Sequence, residues 1–402
     1  MRSMPRPEIV AIAVSRKIHG YSYVEKAKRG WEAVVKRLAE VTEKSQLMGY
    51  VVLDTCSRQE IYIAAPEDRI YSYAYEIGGA LARASSADPR IYRGFELVEH
   101  MLRVLSGSES PALFEKDILD QVRKALDRAP QTGYGAKMLY NIFREAVELS
   151  IDIRRDLGVD GSTGIPELSV LAAKHMLGSL GSVRAAVIGT GEVGGRIARY
   201  LAAYGVSDAA IVSRSLDRAE EIAKLFPKGK AYTFERVEEA VAGRDLVFLA
   251  TNSVKPILGK RAVHDIGGYV IDVSIPRNMD PEAIETLGHR YIWMEDLEEM
   301  SHKILPNLYR ALEDFEAVLR VYVERLYRRY VVEKLREDLG GFARIYESIR
   351  RSEIERAVAR LHLGEREREL LDLVTGSIMK KVIGVLGNML EDNLPRDGDR
   401  GG

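Results

Sequence analysis

The sequence predicts a multidomain α/β protein, because the pattern of predicted strands and helices changes twice along the chain. Strand-like and helix-like stretches alternate first, short apolar strands and helices repeat next, and the last region is nearly all helix. A chain of 402 residues exceeds one ordinary core, so two or three domains are expected. We predict an α+β domain at 1–155, a Rossmann-type doubly wound domain at 156–295 and an all-α domain at 296–402.

Composition excludes several classes of protein. Lys and Arg number 59 against 60 Asp and Glu, so no net charge draws the chain toward nucleic acid, and a polyanion must meet a local patch. One cysteine excludes an internal disulfide and cysteine-rich metal sites, which favours a reducing, cytoplasmic location. The N-terminal apolar run is only about seven residues long, so we expect neither a secretion signal nor a membrane span.

The first region contains the only cysteine, Cys56, within "GYVVLDTCSRQEIYIAA". This stretch and "EIVAIAVS" predict strands, whereas "YVEKAKRGWEAVVKRLAEVTEK" and "FEKDILDQVRKALDRA" have helical periodicity. If the strand continues through the cysteine, Cys56 and Arg58 lie on one side of it, with Thr55 and Ser57 opposite.

Two interpretations of Cys56 are open. A cationic neighbour lowers the pKa of a thiol, so a thiolate beside Arg58 is a competent nucleophile, and Arg58 is alternatively a bidentate ligand for a substrate carboxylate. Most lone cysteines are instead small buried core residues. The polar flank "DTCSRQE" argues against the centre of a buried strand.

The central region predicts a dinucleotide site. The strands "VRAAVIGTG", "DAAIVSRS", "DLVFLATN" and "GYVIDVSIP" alternate with helices in the rhythm of a parallel doubly wound sheet. Gly189, Gly191 and Gly194 have G-x-G-x-x-G spacing, where the first permits a tight turn, the second admits a pyrophosphate and the third lets the helix close on the strand. Glu192 and Val193 open that helix, whose N–H groups face the anion. The alternative is a tight turn without a ligand.

The end of the second strand favours NADPH as the cofactor. An NAD site normally has a carboxylate there, but the chain has Ser213, Arg214 and Ser215, followed by Arg218. Hydroxyl groups and a guanidinium suit a 2′-phosphate. Arg218 is equally compatible with a solvated residue that pairs with a nearby glutamate. A hydride carrier also suits a thiol, because a thioester accepts hydride to give an aldehyde, whereas a carboxylate does not.

The last region predicts a long helix and a dimer. Pro306 is expected to open the helix and Gly340–Gly341 to close it, which gives a rod of about 50 Å. Two further amphipathic segments, at 342–362 and 365–392, need a cover, so homodimerisation is expected. The tail beyond 392 is expected to be disordered. Heptad spacing relates Leu305, Leu308, Leu312, Phe315, Leu319, Tyr322 and Leu326.

Several motifs resemble the glutamyl-tRNA reductase family. "LDTCSRQEIY" looks like the family's Leu-x-Thr-Cys-Asn-Arg-Thr-Glu-Ile-Tyr signature, and "HMLRVLSGSESPALFEKDILDQVRKA", "IGTGEVGGRIARYL" and "IDVSIPRNMDP" are similar to later family segments in the same order. The likeness spans residues 8–335. Departures from the family pattern occur at Arg16, where a His is usual, and at Ser57, Gln59, Phe114 and Asp117.

The resemblance implies NADPH-dependent reduction of glutamyl-tRNA to glutamate-1-semialdehyde through a thioester on Cys56, the first step of five-carbon tetrapyrrole synthesis, without a metal. It also implies a second active-site residue, His100, and a hinge near "DLGVDGSTGIPE" would bring thiol and cofactor together. Glutamate-1-semialdehyde aminomutase is the implied partner for the product. The family pattern places around the substrate Thr55, Arg58, Ser110, Glu115 and Gln121.

Several of these residues are also compatible with purely structural roles. His100 on an amphipathic helix is compatible with packing, Glu115 with a helix N-terminus, and the arginines of "RVYVERLYRRYVVEKLRE" with a salt-bridged face rather than tRNA contacts. Alternative functions are a shikimate-dehydrogenase-like or acyl-phosphate semialdehyde dehydrogenase, or a non-catalytic NADP(H)-responsive scaffold. The thiol separates them, because alcohol–ketone hydride transfer and a scaffold do not need Cys56.

Overall fold

The structure is a computed structural model that describes residues 6–44, 47–130, 134–159 and 163–392. Part of the expected hinge and the expected disordered tail lie outside these ranges. The N-terminal elements are β1 (Pro7–Ser15), α1 (Arg16–His19), α2 (Tyr21–Arg29), α3 (Trp31–Lys44), β2 (Gly49–Asp54), β3 (Arg58–Pro66), α4 (Ile70–Ser85), β4 (Arg90–Arg93), α5 (Gly94–Ser106), α6 (Asp117–Arg128) and α7 (Tyr134–Asp156).

The N-terminal strands form an antiparallel sheet in the order β2-β3-β1-β4. Both faces of this sheet are covered, so β1 and β3 are buried almost throughout, including the polar residues at the start of β3. Helices α2 to α4 pack on one face, and α5 and α7 pack on the other. This is the α+β arrangement that the sequence predicts.

The strand that was expected to run through Cys56 is instead a hairpin. β2 ends at Asp54 and β3 begins at Arg58, so the inference that Cys56 and Arg58 share one side of a continuous strand is wrong. The Thr55 hydroxyl accepts hydrogen bonds from the N–H groups of Ser57 (3.1 Å) and Arg58 (3.2 Å). Local side-chain bonding of this kind favours a turn over a strand.

The remaining elements begin with a connecting helix and continue into the second sheet. They are α8 (Ile165–Leu177), β5 (Arg184–Ile188), α9 (Glu192–Ala203), β6 (Asp208–Ser213), α10 (Leu216–Ala223), β7 (Lys230–Thr233), α11 (Val237–Val241), β8 (Leu246–Leu249), α12 (Lys260–His264), β9 (Tyr269–Asp272), α13 (Pro281–Leu287), β10 (Tyr291–Ile292), α14 (Met294–Ile304), α15 (Pro306–Leu361) and α16 (Glu365–Asp392), with short 3₁₀ turns at Phe234–Arg236 and Gly288–Arg290.

The second sheet has six parallel strands in the order β10-β9-β8-β5-β6-β7. The chain starts at central strand β5, moves outward to β7 and then returns through β8 to the other edge. The predicted Rossmann-type fold is therefore confirmed. Ligands of such sheets bind at the carboxyl ends of the strands where the order reverses, which here is the end of β5.

The long helix α15 opens at Pro306 as predicted, but it does not close at Gly340–Gly341. It continues to Leu361 over 56 residues, which corresponds to about 84 Å. Each glycine within a helix costs about 1 kcal/mol relative to alanine. Contacts between this helix and another helix can offset a cost of that size. The packing of α16 along the second half of α15 supplies such contacts.

The first half of α15 packs against the N-terminal domain. Phe315, Leu319 and Leu326 are buried in the same cluster as residues of α5 and α7. The predicted heptad face is therefore occupied within this chain. No helix in the described ranges is both long enough and apolar enough to cross a bilayer.

Candidate active site

The thiol of Cys56 lies at the β2–β3 turn and is partly buried. Burial raises the pKa of this thiol to about 12, and the charge of Glu115 adds to the effect. Lys28 and Arg16 act in the opposite direction. The expected low-pKa thiolate beside Arg58 is therefore not found in this conformation, where the sulfur is held as a protonated thiol.

Arg58 is completely enclosed and its charge is already matched. Its guanidinium donates to the carboxylates of Glu60 (3.0 Å) and Glu109 (3.4 Å). Tyr62 donates its hydroxyl to the second oxygen of Glu60 at 2.7 Å. Although burial acts in the other direction, His100 and Arg58 hold the pKa of Glu60 at about 2. Glu60 is therefore ionised at neutral pH.

His100 belongs to the same cluster. It is buried on α5, and its Nε2 lies 3.2 Å from a Glu60 carboxylate oxygen. Its ring stacks on Tyr92 with centroids 3.8 Å apart and planes 5° apart. A carboxylate and an aromatic face thus lie against the imidazole, although its Nε2 makes no hydrogen bond of good geometry within the described residues. This arrangement is compatible with both a packing role and a proton-transfer role.

The loop between α5 and α6 positions Ser110 and Glu115, both buried. Burial raises the pKa of Glu115 to about 7, and Asp117 adds to the shift, whereas the Ser110 hydrogen bond and nearby arginines oppose it. Arg154 anchors the loop by donating to the carbonyl groups of Glu115 (3.0 Å) and Phe114 (2.6 Å). The loop therefore holds the Glu115 carboxyl, which is half-ionised near neutral pH, close enough to influence the Cys56 thiol.

The departure from the family pattern at Phe114 has a structural explanation. Its φ of 57° lies in the left-handed region, where glycine is favoured and other residues are strained by about 1 kcal/mol or more. The Phe114 ring is buried and packs on Phe315 of α15, with centroids 5.9 Å apart. Burial of an aromatic ring offsets strain of this size.

Thr55 and Gln121, two of the predicted substrate residues, do not lie together in a buried pocket. The Thr55 hydroxyl is used by the hairpin turn, since it accepts two backbone N–H groups. Gln121 is exposed on α6, whereas the buried face of that helix consists of Ile118, Leu119, Val122 and Leu126. Their substrate roles stay predictions.

The site also contains residues that sequence reasoning did not select. Arg16 follows β1, and its backbone N–H donates to the Ser57 carbonyl at 2.9 Å. Tyr21 is buried, and its hydroxyl has no hydrogen-bond partner in the described ranges. Burial raises the pKa of Tyr21, and Cys56 and Glu115 contribute, so this ring lies near both groups. The replacement of a family His by Arg16 was the one signal in the sequence.

The glycine-rich turn between β5 and α9 is shaped for a dinucleotide. Gly189 has φ 107°, and a Cβ there would lie 2.2 Å from the Ala250 carbonyl oxygen. A Cβ on Gly194 would lie 1.9 Å from the Gly189 carbonyl oxygen. Gly191, in contrast, has no atom within 4 Å of such a Cβ. The protein itself does not require glycine there, whereas a pyrophosphate that approaches the backbone does.

The adjoining surface at the end of β6 fits NADP rather than NAD. The hydroxyls of Thr190 and Ser213 lie 2.6 Å apart, and Ser215 caps α10 by accepting from the Arg218 N–H at 3.4 Å. A cleft of about 360 Å³ borders this turn. The cleft contains both Arg218 and Glu221, so the two interpretations of Arg218 stay open. Its lining comprises Thr190, Gly191, Glu192, Gly195, Arg196, Arg199, Arg218, Glu221 and Ile222.

Ion pairs join the N-terminal domain that carries Cys56, here called the thiol domain, to the domain of the second sheet, here called the nucleotide domain. Another ion pair joins the thiol domain to α14. Those nearest the cleft come from α6, where Asp117 pairs with Arg196 (2.6 Å) and Lys124 with Glu192 (3.3 Å). The N-terminal domain therefore borders the cofactor cleft. Two further pairs are Arg277–Glu25 (3.1 Å) and Arg16–Glu298 (2.5 Å).

A glycine-rich nucleotide turn, a doubly wound sheet and a separate domain with a single thiol together define a dinucleotide-dependent oxidoreductase. Comparisons with known proteins agree. Residues 12–157 match the family model of the glutamyl-tRNAGlu reductase N-terminal domain. Residues 171–300 match the model of shikimate / quinate 5-dehydrogenase, which covers the nucleotide domain alone.

Relatives match the chain along most of its length. A glutamyl-tRNA reductase from Archaeoglobus fulgidus is 27% identical over 94% of this chain and 87% of its own. One from Methanopyrus kandleri is 29% identical over 94% and 93%. The solved structure of the Methanopyrus kandleri enzyme covers 98% of this chain and 96% of its own, with 26% identity and a TM-score of 0.50. The chain is thus similar to glutamyl-tRNA reductases along nearly its whole length.

Proposed function

We propose that this protein reduces glutamyl-tRNA to glutamate-1-semialdehyde with NADPH, the first step of five-carbon tetrapyrrole synthesis. Similarity to glutamyl-tRNA reductases along most of the chain supports the reaction, and one observation carries the mechanism. The only thiol, Cys56, lies at the tip of a hairpin in a domain that borders a dinucleotide cleft. Such a thiol holds an acyl group as a thioester, which is reducible to an aldehyde.

In the acyl-transfer step, the Cys56 sulfur attacks the ester carbonyl carbon. A carbon–sulfur bond forms, and the bond from that carbon to the 3′ oxygen of the tRNA breaks. Glu115, with a pKa of about 7, accepts the thiol proton, and a proton is returned to the departing oxygen. His100, held by Glu60 and Tyr92, transfers that proton or orients the ester.

The glutamyl side chain carries a carboxylate that Arg58 holds. The substrate carboxylate takes the place of Glu109, whose contact at 3.4 Å is longer than the 3.0 Å contact of Glu60. Exchange of one carboxylate for another keeps the buried guanidinium neutralised, which avoids an unpaired buried charge. Thr55, Ser110 and Gln121 complete the proposed surroundings of the glutamyl group.

The nucleotide turn holds the cofactor. Gly189, Gly191 and Gly194 admit the pyrophosphate at the N-terminus of α9, where Glu192 and Val193 are exposed. The 2′-phosphate lies against the turn made of Ser213, Arg214 and Ser215, together with Arg218. When bound, NADPH supplies the hydride that reduces the thioester to the aldehyde.

Partners follow from the product and from the surface. The protein works as a cytoplasmic homodimer whose contact is made by α16, and its unstable aldehyde passes to glutamate-1-semialdehyde aminomutase. The arginines of α15 do not supply a general tRNA surface, since several are paired within the chain. Arg329 and Arg336 both contact Glu333, at 2.9 and 3.1 Å, and Lys334 contacts Glu8 at 2.5 Å.

Replacement of the sulfur tests the mechanism. Cys56→Ser is expected to abolish NADPH oxidation in the presence of glutamyl-tRNA, because an alkoxide-derived ester resists hydride, while NADPH binding stays within about twofold. Mass spectrometry of wild-type protein mixed with glutamyl-tRNA and no NADPH is expected to find a glutamyl adduct on Cys56. Full turnover by Cys56→Ser would remove the thioester mechanism.

The match of residues 171–300 to a shikimate / quinate dehydrogenase model favours a second candidate, oxidation of a small alcohol with NADP⁺. That reaction needs no thiol. Incubation with NADP⁺ and shikimate or quinate separates the two functions, since turnover that survives Cys56→Ser would support the alcohol dehydrogenase and exclude glutamyl-tRNA as the main substrate.

A further inference from the structure

Arg16 is fixed beside the thiol by the backbone. Ser15 ends β1 and is the register partner of Arg58, the first residue after the thiol turn. The next residue, Arg16, donates its backbone N–H to the Ser57 carbonyl at 2.9 Å. The position of Arg16 relative to Cys56 is therefore set by strand pairing and not by a flexible loop.

The guanidinium of Arg16 is buried but incompletely satisfied. Its Nη1 donates to both carboxylate oxygens of Glu298, at 2.5 and 2.6 Å, and its Nη2 donates to the Glu109 carbonyl at 3.1 Å. The side chain is 8% exposed, and its Nε has no partner in the described part of the chain. A buried donor left without a partner is unfavourable, so this ion pair does not fully satisfy the guanidinium.

The partner of Arg16 comes from outside the thiol domain. Glu298 lies on α14, directly after the last strand of the nucleotide sheet, and its side chain is 32% exposed. An ion pair with a partly solvated carboxylate is weaker than an enclosed one. The two carboxylates around Arg58, in contrast, belong to the thiol domain itself. Arg16 is thus the arginine whose neutralisation depends on another domain.

Four ionisable groups, Glu115, Lys28, Arg16 and Tyr21, interact electrostatically with the Cys56 thiol. Burial and the Glu115 charge raise the pKa of the thiol, whereas Lys28 and Arg16 lower it, and Tyr21 lies within range of the same charges. Lys28 is held at 2.6 Å by Asp54 on the outer side of the hairpin. Of these two cations, Arg16 is therefore the one whose lowering of the thiol pKa is expected to increase when its partner Glu298 moves away.

We propose that Arg16 is a positioning residue that activates the Cys56 thiol, and that Glu298 withholds this activation while the two side chains are paired. When α14 moves relative to the thiol domain, the guanidinium loses its counter-charge and stabilises a thiolate. The ion pair thereby links the reactivity of the sulfur to the placement of the segment that follows the nucleotide sheet. The importance of this ion pair for catalysis rests on the proposed role of Cys56 as the acyl carrier. The electrostatic effect of Arg16 and Glu298 on the thiol does not depend on that role.

The single cysteine makes the test specific. The rate of alkylation of the full-length protein by iodoacetamide, followed by intact mass from pH 6 to 10, reports the thiolate fraction of Cys56 alone. Glu298→Gln is expected to raise this rate at pH 8 about tenfold, which corresponds to a fall of one unit in thiol pKa. Arg16→Gln is not expected to raise it. In the Arg16→Gln background, Glu298→Gln is expected to change the rate less than twofold.

Glu25→Gln is the control, because it removes the carboxylate of another ion pair that joins the N-terminal domain to a later part of the chain, Arg277–Glu25. Its alkylation rate is expected to stay within about twofold of wild type. An unchanged rate in Glu298→Gln, an acceleration that persists without Arg16, or an equal acceleration in Glu25→Gln would each overturn the proposal. The assay needs neither tRNA nor NADPH, so its failure is distinct from failure of the proposed reaction.

Discussion

Glu115 makes the stability of the fold depend on pH in an unusual direction. Its pKa in the folded protein is about 7, above the ordinary value of 4.5, so the folded state binds more protons than the unfolded state between these values. Its contribution is fully present below pH 4.5 and is lost as pH rises through 7. The loss amounts to roughly 3 kcal/mol, because one pKa unit corresponds to about 1.4 kcal/mol.

Glu115→Gln is expected to remove this dependence, because glutamine keeps the shape and cannot ionise. Urea unfolding at pH 5 and pH 8 measures the effect as a difference between variant and wild type, which cancels the titration of other groups. The variant is expected to lose less stability than wild type between these pH values, by a few kcal/mol. Parallel pH profiles for the two proteins would contradict the raised pKa.

At the residue scale, sequence reasoning selects the thiol but not its electrostatic surroundings. Cys56 stands out because it is the only cysteine and because its flank is polar. The partners that determine its reactivity come from distant elements: Arg16 from the end of β1, Glu115 from the α5–α6 loop and Glu298 from α14. No local pattern encodes contacts between segments 40 or more residues apart, so the sequence does not predict the raised pKa of the thiol.

The β5–α9 turn separates two reasons for glycine at the scale of one element. Gly194→Ala is expected to destabilise the protein by about 2 kcal/mol or more, since the added Cβ would lie 1.9 Å from a carbonyl oxygen that the turn cannot move. Gly191→Ala is expected to leave the free energy of unfolding within about 0.5 kcal/mol and to weaken NADPH binding at least tenfold. Thermal unfolding and NADPH fluorescence titration measure both effects.

Gly191→Ala also serves as the control for Gly194→Ala, because both add one methyl group to the same turn. Its φ of −68° is ordinary for alanine, and nothing lies within 4 Å of the new Cβ. If Gly191→Ala binds NADPH as tightly as wild type, the cofactor does not approach this backbone, and the assignment of the turn is wrong.

Element boundaries were predictable where a local signal decides them. The G-x-G-x-x-G spacing locates the end of β5 and the start of α9, and Pro306 locates the start of α15. Gly340–Gly341 misled the prediction, because a local helix-breaking tendency of about 1 kcal/mol per glycine is small beside the packing along a long helix. The hairpin at Cys56 was missed because its turn is made by side-chain hydrogen bonds of Thr55 and not by glycine or proline.

At the scale of the whole molecule, the two helices of the C-terminal region differ in what covers them. The first half of α15 is covered by the thiol domain. α16 contacts α15 on one side, where Arg350 donates to Asp372 at 2.7 Å. Much of the rest of α16 is apolar and uncovered: the exposed residues are Leu370, Leu373, Val374, Ile378, Val382, Val385 and Met389.

A second copy of the chain suits this surface. Six of these seven residues, all but Leu373, recur at steps of three and four over five turns, which is the spacing of a helix that pairs with another helix. A contiguous apolar face of this length is rare on monomers. The sequence predicts amphipathic segments at 342–362 and 365–392 that need a cover, and the second of these coincides with α16. The heptad face at the start of α15 is covered within the chain, so we place the proposed dimer contact on α16.

Replacement of two residues on this face is expected to separate the dimer. Val374→Gln combined with Val382→Gln removes apolar burial in both copies at once, at about 1.5 kcal/mol or more per side chain, so the dissociation constant is expected to rise at least a hundredfold. Sedimentation velocity measures the change. Lys380→Gln, at an exposed position on the other side of α16, introduces the same side chain without removing apolar surface and is expected to leave the dimer intact. Wild-type protein that sediments as a monomer at micromolar concentration would refute the dimer, and equal dissociation by the Lys380 variant would show that the apolar face is not the contact.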